Sequence, residues 1–200
     1  MASASLPATD SHIHLASWCL RQTEIDLFSV RTLDEALDLM RVRAKGASPG
    51  QWVRGGGWDK NVWGAFPTAA DLDKVFPDNP VILGSKDGHS VWVNSRALEK
   101  AGVTRETPDP PGGAVLKDAA GNPSGILQDN AEGLVYRVVP PAGLETTVEA
   151  LSSGFKLLLS MGVTAVQVAE GAGTLRALQV LREREGLPDR KSTRLNSSHG

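Results

Sequence analysis

Leu144 to Glu185 constrains the fold of this chain more than any other stretch. Val148, Leu151, Phe155 and Leu158 recur at three- and four-residue intervals, which is one apolar face of a helix over Leu144 to Met161. Gly162 supplies the stop. Val163-Thr164-Ala165-Val166-Gln167-Val168 follows at once and is rich in β-branched residues, so it reads as a strand with Glu170 just past its end. A further helix is expected from about Thr174 to Glu185. Helix, strand and helix with short joints form the pattern of a parallel sheet covered by helices.

The rest of the chain supplies shorter elements. Thr32-Leu33-Asp34-Glu35 is a capping box, and Leu33, Ala36, Leu37, Met40 and Ala44 make the buried stripe of the helix that follows. Gln51 to Gly55 reads as a short strand, and Gly55-Gly56-Gly57 lets the backbone turn or approach a neighbour closely. Val81-Ile82-Leu83 is an apolar run bounded by turn residues, the mark of a buried strand, and Lys86-Asp87-Gly88-His89 follows it. Ser95 is expected to cap a brief helix through Lys100. Ala114 to Gly125 suggests a decorating hairpin, and Ile126 to Val139 a helix carrying Asp129 and Glu132.

Composition narrows the class. Of 200 residues, 40% are hydrophobic and 22% charged, a globular balance, and a net charge of −2 offers nucleic acid no basic field. No stretch approaches the roughly 18 apolar residues a membrane helix needs. The single cysteine, Cys19, excludes an intramolecular disulfide and fits a reducing compartment; with no basic, apolar leader in Met1 to Thr9, a cytoplasmic protein is expected. Lys191 to Gly200 is polar and aperiodic, with the texture of vector or adaptor read-through, so one domain is expected over residues 1–190 and a non-native tail over 191–200.

Three sequence features point to chemistry. In Asp10-Ser11-His12-Ile13-His14, strand alternation places both imidazoles on one face, where two nitrogens can share one metal ion; a solvated pair is the bland alternative. Trp52, Trp58 and Trp63 cluster among glycines and suit either a pocket wall or core packing. A polar Asp87-Gly88-His89 at the end of a buried strand stands where α/β folds place their chemistry, or is a solvated turn.

Five phrases together carry a resemblance: Asp10-Ser11-His12-Ile13-His14, Gly55-Gly56-Gly57-Trp58-Asp59, Lys86-Asp87-Gly88-His89, Trp92-Val93-Asn94-Ser95-Arg96-Ala97-Leu98 and Gly162-Val163-Thr164. They resemble the amidohydrolase superfamily, in the branch of metal-dependent hydrolases that includes N-substituted formamide deformylases. The resemblance implies an α/β fold, a TIM-like (β/α)8 barrel that is partial and truncated at both ends here, with inserted irregular and hairpin segments. A whole barrel takes roughly 250 residues. It implies a divalent metal, zinc, held by His12 and His14, and a substrate region containing Trp58, Asp59, Asp87, His89 and Trp92. It further implies hydrolysis of a carbon–nitrogen bond other than a peptide bond, in a small amide or formamide-type substrate. Another reaction of the same superfamily, and an inactive fragment, are the alternatives. Nucleic acid and membrane are not implied as partners, and the resemblance leaves room for a homo-oligomer of the intact enzyme. The family's remaining ligands and its proton-relaying carboxylate have no counterpart here; Lys86, Lys117, Asp129 and Glu132 are the amine and acidic groups that could stand in for a bridging ligand.

Overall fold

The computed structural model describes residues 8–185, so the 191–200 tail lies outside the described residues. In chain order the elements are β1 (Ala8–Ile13), α1 (Leu15–Arg21), β2 (Ile25–Asp26), α2 (Leu33–Ala44), β3 (Val53–Trp58), α3 (Lys60–Trp63), α4 (Ala69–Asp73), β4 (Val81–Ser85), β5 (Ser90–Val93), α5 (Ser95–Ala101), β6 (Gly113–Lys117), β7 (Pro123–Asp129), α6 (Gly133–Tyr136), α7 (Leu144–Ser160), β8 (Val163–Val168) and α8 (Ala172–Glu185). A 3-10 turn, Asn130–Glu132, leads into α6. The described chain is mixed α/β and divides into two compact units, residues 8–23 with 141–185 and residues 24–140.

In the first unit β1 and β8 pair in parallel, Asp10 opposite Val166 and Ile13 opposite Val168. The helix–strand–helix run expected from sequence is present as α7, β8 and α8. Leu15, Ala16 and Cys19 of α1 pack with Val148, Leu151 and Leu158 of α7 and Ala177, Val180 and Leu181 of α8. The α1–α7 crossing depends on Gly154, because a Cβ there would collide with the Cys19 sulfur. Cys19 is therefore enclosed, and burial, followed by the charge of Glu170, pushes its thiol pKa up to about 11.

The second unit is built on one six-stranded sheet of order β2-β3-β4-β5-β7-β6. β2, β3 and β4 run parallel, and the remaining neighbours are antiparallel. Both faces are covered. Val81, Leu83, Trp92 and Ile126 face a core with Leu37, Met40, Leu72 and Phe76. Ile82, Val91, Val93 and Leu127 face the other, with Ala97, Leu98, Ala101 and Val135. Strands buried on two sides read as continuous apolar runs, which is why Val81-Ile82-Leu83 carried its signal without alternation. Thr32 caps α2 as expected, its hydroxyl accepting from the Glu35 amide at 3.2 Å, while Glu35 reaches back to the Arg31 amide at 2.9 Å.

Several local expectations are corrected. The triple glycine does not end a strand, since β3 runs through it to Trp58. Gly57 is required there: its φ is +96°, and a Cβ would stand 2.6 Å from the Phe28 amide nitrogen. The cap of α5 is Asn94 rather than Ser95. Asn94 is wholly buried, its Oδ1 accepting from Val81 N (3.0 Å) and Ala97 N (3.1 Å) and its Nδ2 donating to Phe76 O (3.1 Å) and Asn79 O (2.8 Å). Ile126 to Asp129 is strand, not helix, and β7 lies inside the sheet instead of decorating it. Ile126 and Leu127 bury on opposite faces, a period-2 arrangement that a short apolar run cannot distinguish from a helix.

Candidate functional site

The two histidines expected to hold a metal belong to the first unit. His12 is in β1 and His14 stands between β1 and α1. Both are exposed, and their ring centroids are 5.5 Å apart with planes at 81°. The segment is fixed on both sides. The Asp10 carboxylate accepts from the His12 amide at 3.0 Å, and the Ile13 carbonyl accepts from Ala169 N at 3.0 Å.

Glu170, noted in the sequence only for its place past β8, has a definite task. Its carboxylate accepts from Ala16 N (2.7 Å), Ser17 N (3.0 Å), Ser17 Oγ (2.7 Å) and Thr174 Oγ1 (3.2 Å). It thereby satisfies first-turn amides of α1 immediately after His14, donors that no intrahelical acceptor serves. Burial pushes the Glu170 pKa up, but the hydrogen bonds from Ala16, Ser17 and Thr174 outweigh it and hold the carboxyl below the usual range. Nothing local in the sequence signals this role, because donor and acceptor are about 150 residues apart.

The donor set fits part of a metal site. Two neutral imidazoles side by side suit a divalent first-row cation. Among the described residues no group of three or more His, Cys, Asp and Glu is placed to hold a metal ion, so the pair supplies two ligands and not a complete sphere. Lys117, one candidate for a bridging ligand, is otherwise occupied: its ammonium donates to the carbonyls of Arg105 (2.7 Å) and Thr107 (3.0 Å).

The second unit contains a cavity of about 130 Å³ lined by Trp58, Asp59, Lys60, Asn61, Ser85, Lys86, Asp87 and Ser90. Trp58, Asp59 and Asp87, singled out from sequence, thus come together. Trp58 is buried, its indole donating to Leu83 O at 2.8 Å. Asp59 caps α3, accepting from Asn61 N at 2.9 Å. The β4–β5 turn is tied internally, with Ser85 Oγ donating to Asp87 Oδ1 at 2.5 Å, and His89 N donating to the same oxygen at 3.0 Å. The Ser85 hydroxyl and the His89 amide hold the Asp87 carboxyl below its ordinary pKa. Lys60 sits over the Phe66 ring, 4.4 Å from its centroid.

The other two candidates are placed differently. Trp92 is 0% exposed in the core, its indole donating to Thr68 O at 2.8 Å and its ring edge-on to Trp63. His89 points outward and its Nδ1 lies 2.9 Å from Asp129 Oδ1. Lys60, Asn61, Ser85 and Ser90 were not anticipated as lining residues; their positions beside Asp59 and around Asp87 are the only signal the sequence held.

An α/β chain with two imidazoles at the end of a parallel strand narrows the class, and comparison with known proteins makes it specific. The amidohydrolase family profile matches residues 7–198. The chain belongs to the amidohydrolase family, a family of enzymes. It is 38% identical over 157 residues to YtcJ of Bacillus subtilis, a candidate amidohydrolase by its name. It is also 32% identical over 165 residues to an N-substituted formamide deformylase of Arthrobacter pascens. Each match covers 78% of this chain and 30% of the relative, so the chain spans under a third of the length of these relatives. Among solved structures, an uncharacterised metal-dependent hydrolase from Pyrococcus horikoshii superposes with a TM-score of 0.68 at 25% identity, covering 90% of this chain and 35% of that one.

Proposed function

We propose that this chain is the front portion of a divalent-metal-dependent hydrolase that cleaves a carbon–nitrogen bond other than a peptide bond in a small amide or formamide-type substrate. The observation that carries the reading is the His12–His14 pair, with rings 5.5 Å apart at the end of a parallel strand, inside a family match that runs from residue 7 to residue 198. The parallel β1–β8 pair with α7 and α8 in βα order is compatible with one segment of a TIM-like (β/α)8 barrel. The formamide class is suggested by the A. pascens relative.

His12 and His14 would hold the metal, zinc in this reading. A bound zinc ion supplies Lewis acidity and lowers the pKa of water. The residues of this chain do the rest of what can be assigned to it. Glu170 holds the start of α1 and so the setting of His14. Trp58 supplies a rigid apolar wall, and Asp59 and Asp87 supply fixed acceptors, in a cavity read as the substrate pocket. Among the described residues the pair has no further ligands, so on this reading the chain by itself is expected to be inactive.

Zinc titration by calorimetry, with bound metal measured by elemental analysis, tests the reading. Weak binding is expected, lost in His12→Ala and in His14→Ala. Tight stoichiometric binding that survives both substitutions would overturn it.

A further inference from the structure

We propose that the first unit holds a binding groove for a small organic acid, whose carboxylate pairs with Arg176 and whose short apolar chain lies on Leu20 and Leu144. The groove has a volume of about 420 Å³ and is walled by residues of α1, α7 and α8 and of the segments that lead into α7 and α8. That is the size of a small-molecule site. Neither His12 nor His14 lines it, and it shares no residue with the Trp58–Asp87 cavity, so it stands apart from both.

One part of the wall is apolar, made by Ala16, Leu20, Ala142 and Leu144. Leu144 is 45% exposed, so the fold itself leaves apolar surface uncovered at the groove. A hydrocarbon chain laid there takes that surface out of water.

The polar part of the wall is already committed, with one exception. Ser17 Oγ and Thr174 Oγ1 donate to Glu170 (2.7 and 3.2 Å), and Thr147 Oγ1 donates to Gly143 O (2.9 Å). A hydroxyl has one proton to give, so none of the three can donate to a ligand. Glu170 accepts two donors on each oxygen, which fills its lone pairs. The exception is Arg176, whose guanidinium has no hydrogen bond or ion pair among the described residues.

These commitments select the ligand. A planar guanidinium fork matches a carboxylate with two parallel hydrogen bonds. A phosphate would bring further charge beside Glu170, and the groove has no second cation to meet it. An ammonium would face Arg176 and find the Glu170 oxygens taken. A neutral amide could accept from Arg176 only through a weaker, uncharged oxygen.

The test is nitrogen-15 NMR of the full chain titrated with hexanoate, with a chelator present so that no carboxylate acts through a metal ion. The amides of Leu144, Gly173 and Thr174 should shift together and saturate. Arg176→Gln should weaken the hexanoate dissociation constant about tenfold, and Arg176→Lys, which keeps the charge and loses the fork, by less. Arg176 is exposed, so neither substitution should move the melting temperature. Acetate should bind at least about tenfold more weakly than hexanoate, and Leu144→Ser should weaken hexanoate while leaving acetate unchanged. Hexylammonium should leave the signals in place. Hexanoate that shifts none of these amides, or binds wild type and Arg176→Gln equally, overturns the proposal. So does hexylammonium or hexanamide that binds as tightly as hexanoate. Each of these outcomes leaves the zinc titration of His12 and His14 unaffected.

Discussion

Replacing Glu170 tests whether one carboxylate secures the start of α1 beside His14. Glu170→Ala removes an acceptor serving two backbone amides and two hydroxyls. The hydroxyls of Ser17 and Thr174 can turn to other partners at little cost. The amides of Ala16 and Ser17 cannot, and Ala16 is buried. Losing a helix cap costs about 0.5–2 kcal/mol and a hydrogen bond to a charged acceptor about 1.5–3 kcal/mol, so with one carboxylate shared the loss should total about 2–3 kcal/mol. Glu170→Gln keeps one carbonyl oxygen and should lose roughly half of that. Equilibrium urea unfolding followed by far-UV circular dichroism measures both.

The pH dependence has a definite sign. The folded carboxyl lies below its unfolded value, so its stabilisation is complete above the unfolded range, near 4.3 for a free glutamate, and is lost as pH falls through the folded value. The gap between wild type and Glu170→Ala should therefore be constant near neutrality and shrink on acidification. A near-neutral difference under about 0.5 kcal/mol, or a gap that widens as pH falls, would refute the reasoning.

Three further outcomes follow from buried geometry. Asn94→Ala strands two donors and two acceptors in the interior and should cost about 3–4 kcal/mol by urea unfolding, whereas Ser95→Ala should cost less than half as much. Gly57→Ala combines a left-handed φ with a clash against Phe28 and should lower stability by about 2–4 kcal/mol, against about 1 kcal/mol for Gly64→Ala, where a Cβ meets open space. Cys19, enclosed and with its pKa near 11, should resist thiol-specific reagents in mildly alkaline buffer and react at the rate of unfolding; prompt labelling of the native chain would contradict its placement.

What could be read from the chain was what local physics sets. The 3.6-residue period of Val148, Leu151 and Leu158 defined α7, the β-branched run defined β8, and Thr32 with Glu35 defined the start of α2. His12 and His14 come together with their rings 5.5 Å apart, but β1 ends at Ile13 and its register shifts between Asp10 and Ile13, so strand alternation alone does not account for their placement. Ile126-Leu127 suits helix or strand equally, because two adjacent apolar residues fix neither period; pairing with β5 and β6, set by residues far along the chain, makes it a strand. Trp58 and Trp92 looked equivalent in sequence, yet one lines a cavity and the other is sealed inside the sheet's core.

The sequence by itself determined the periodic elements and the phrases that mark the family, since these depend on near neighbours. Tertiary structure alone decided the division into two units, the Glu170 carboxylate on α1, the cavity between Asp59 and Asp87, and the grip of Asp129 on His89. Each joins residues distant in sequence, so each depends on which strands pair and which helix ends meet, and not on any local pattern.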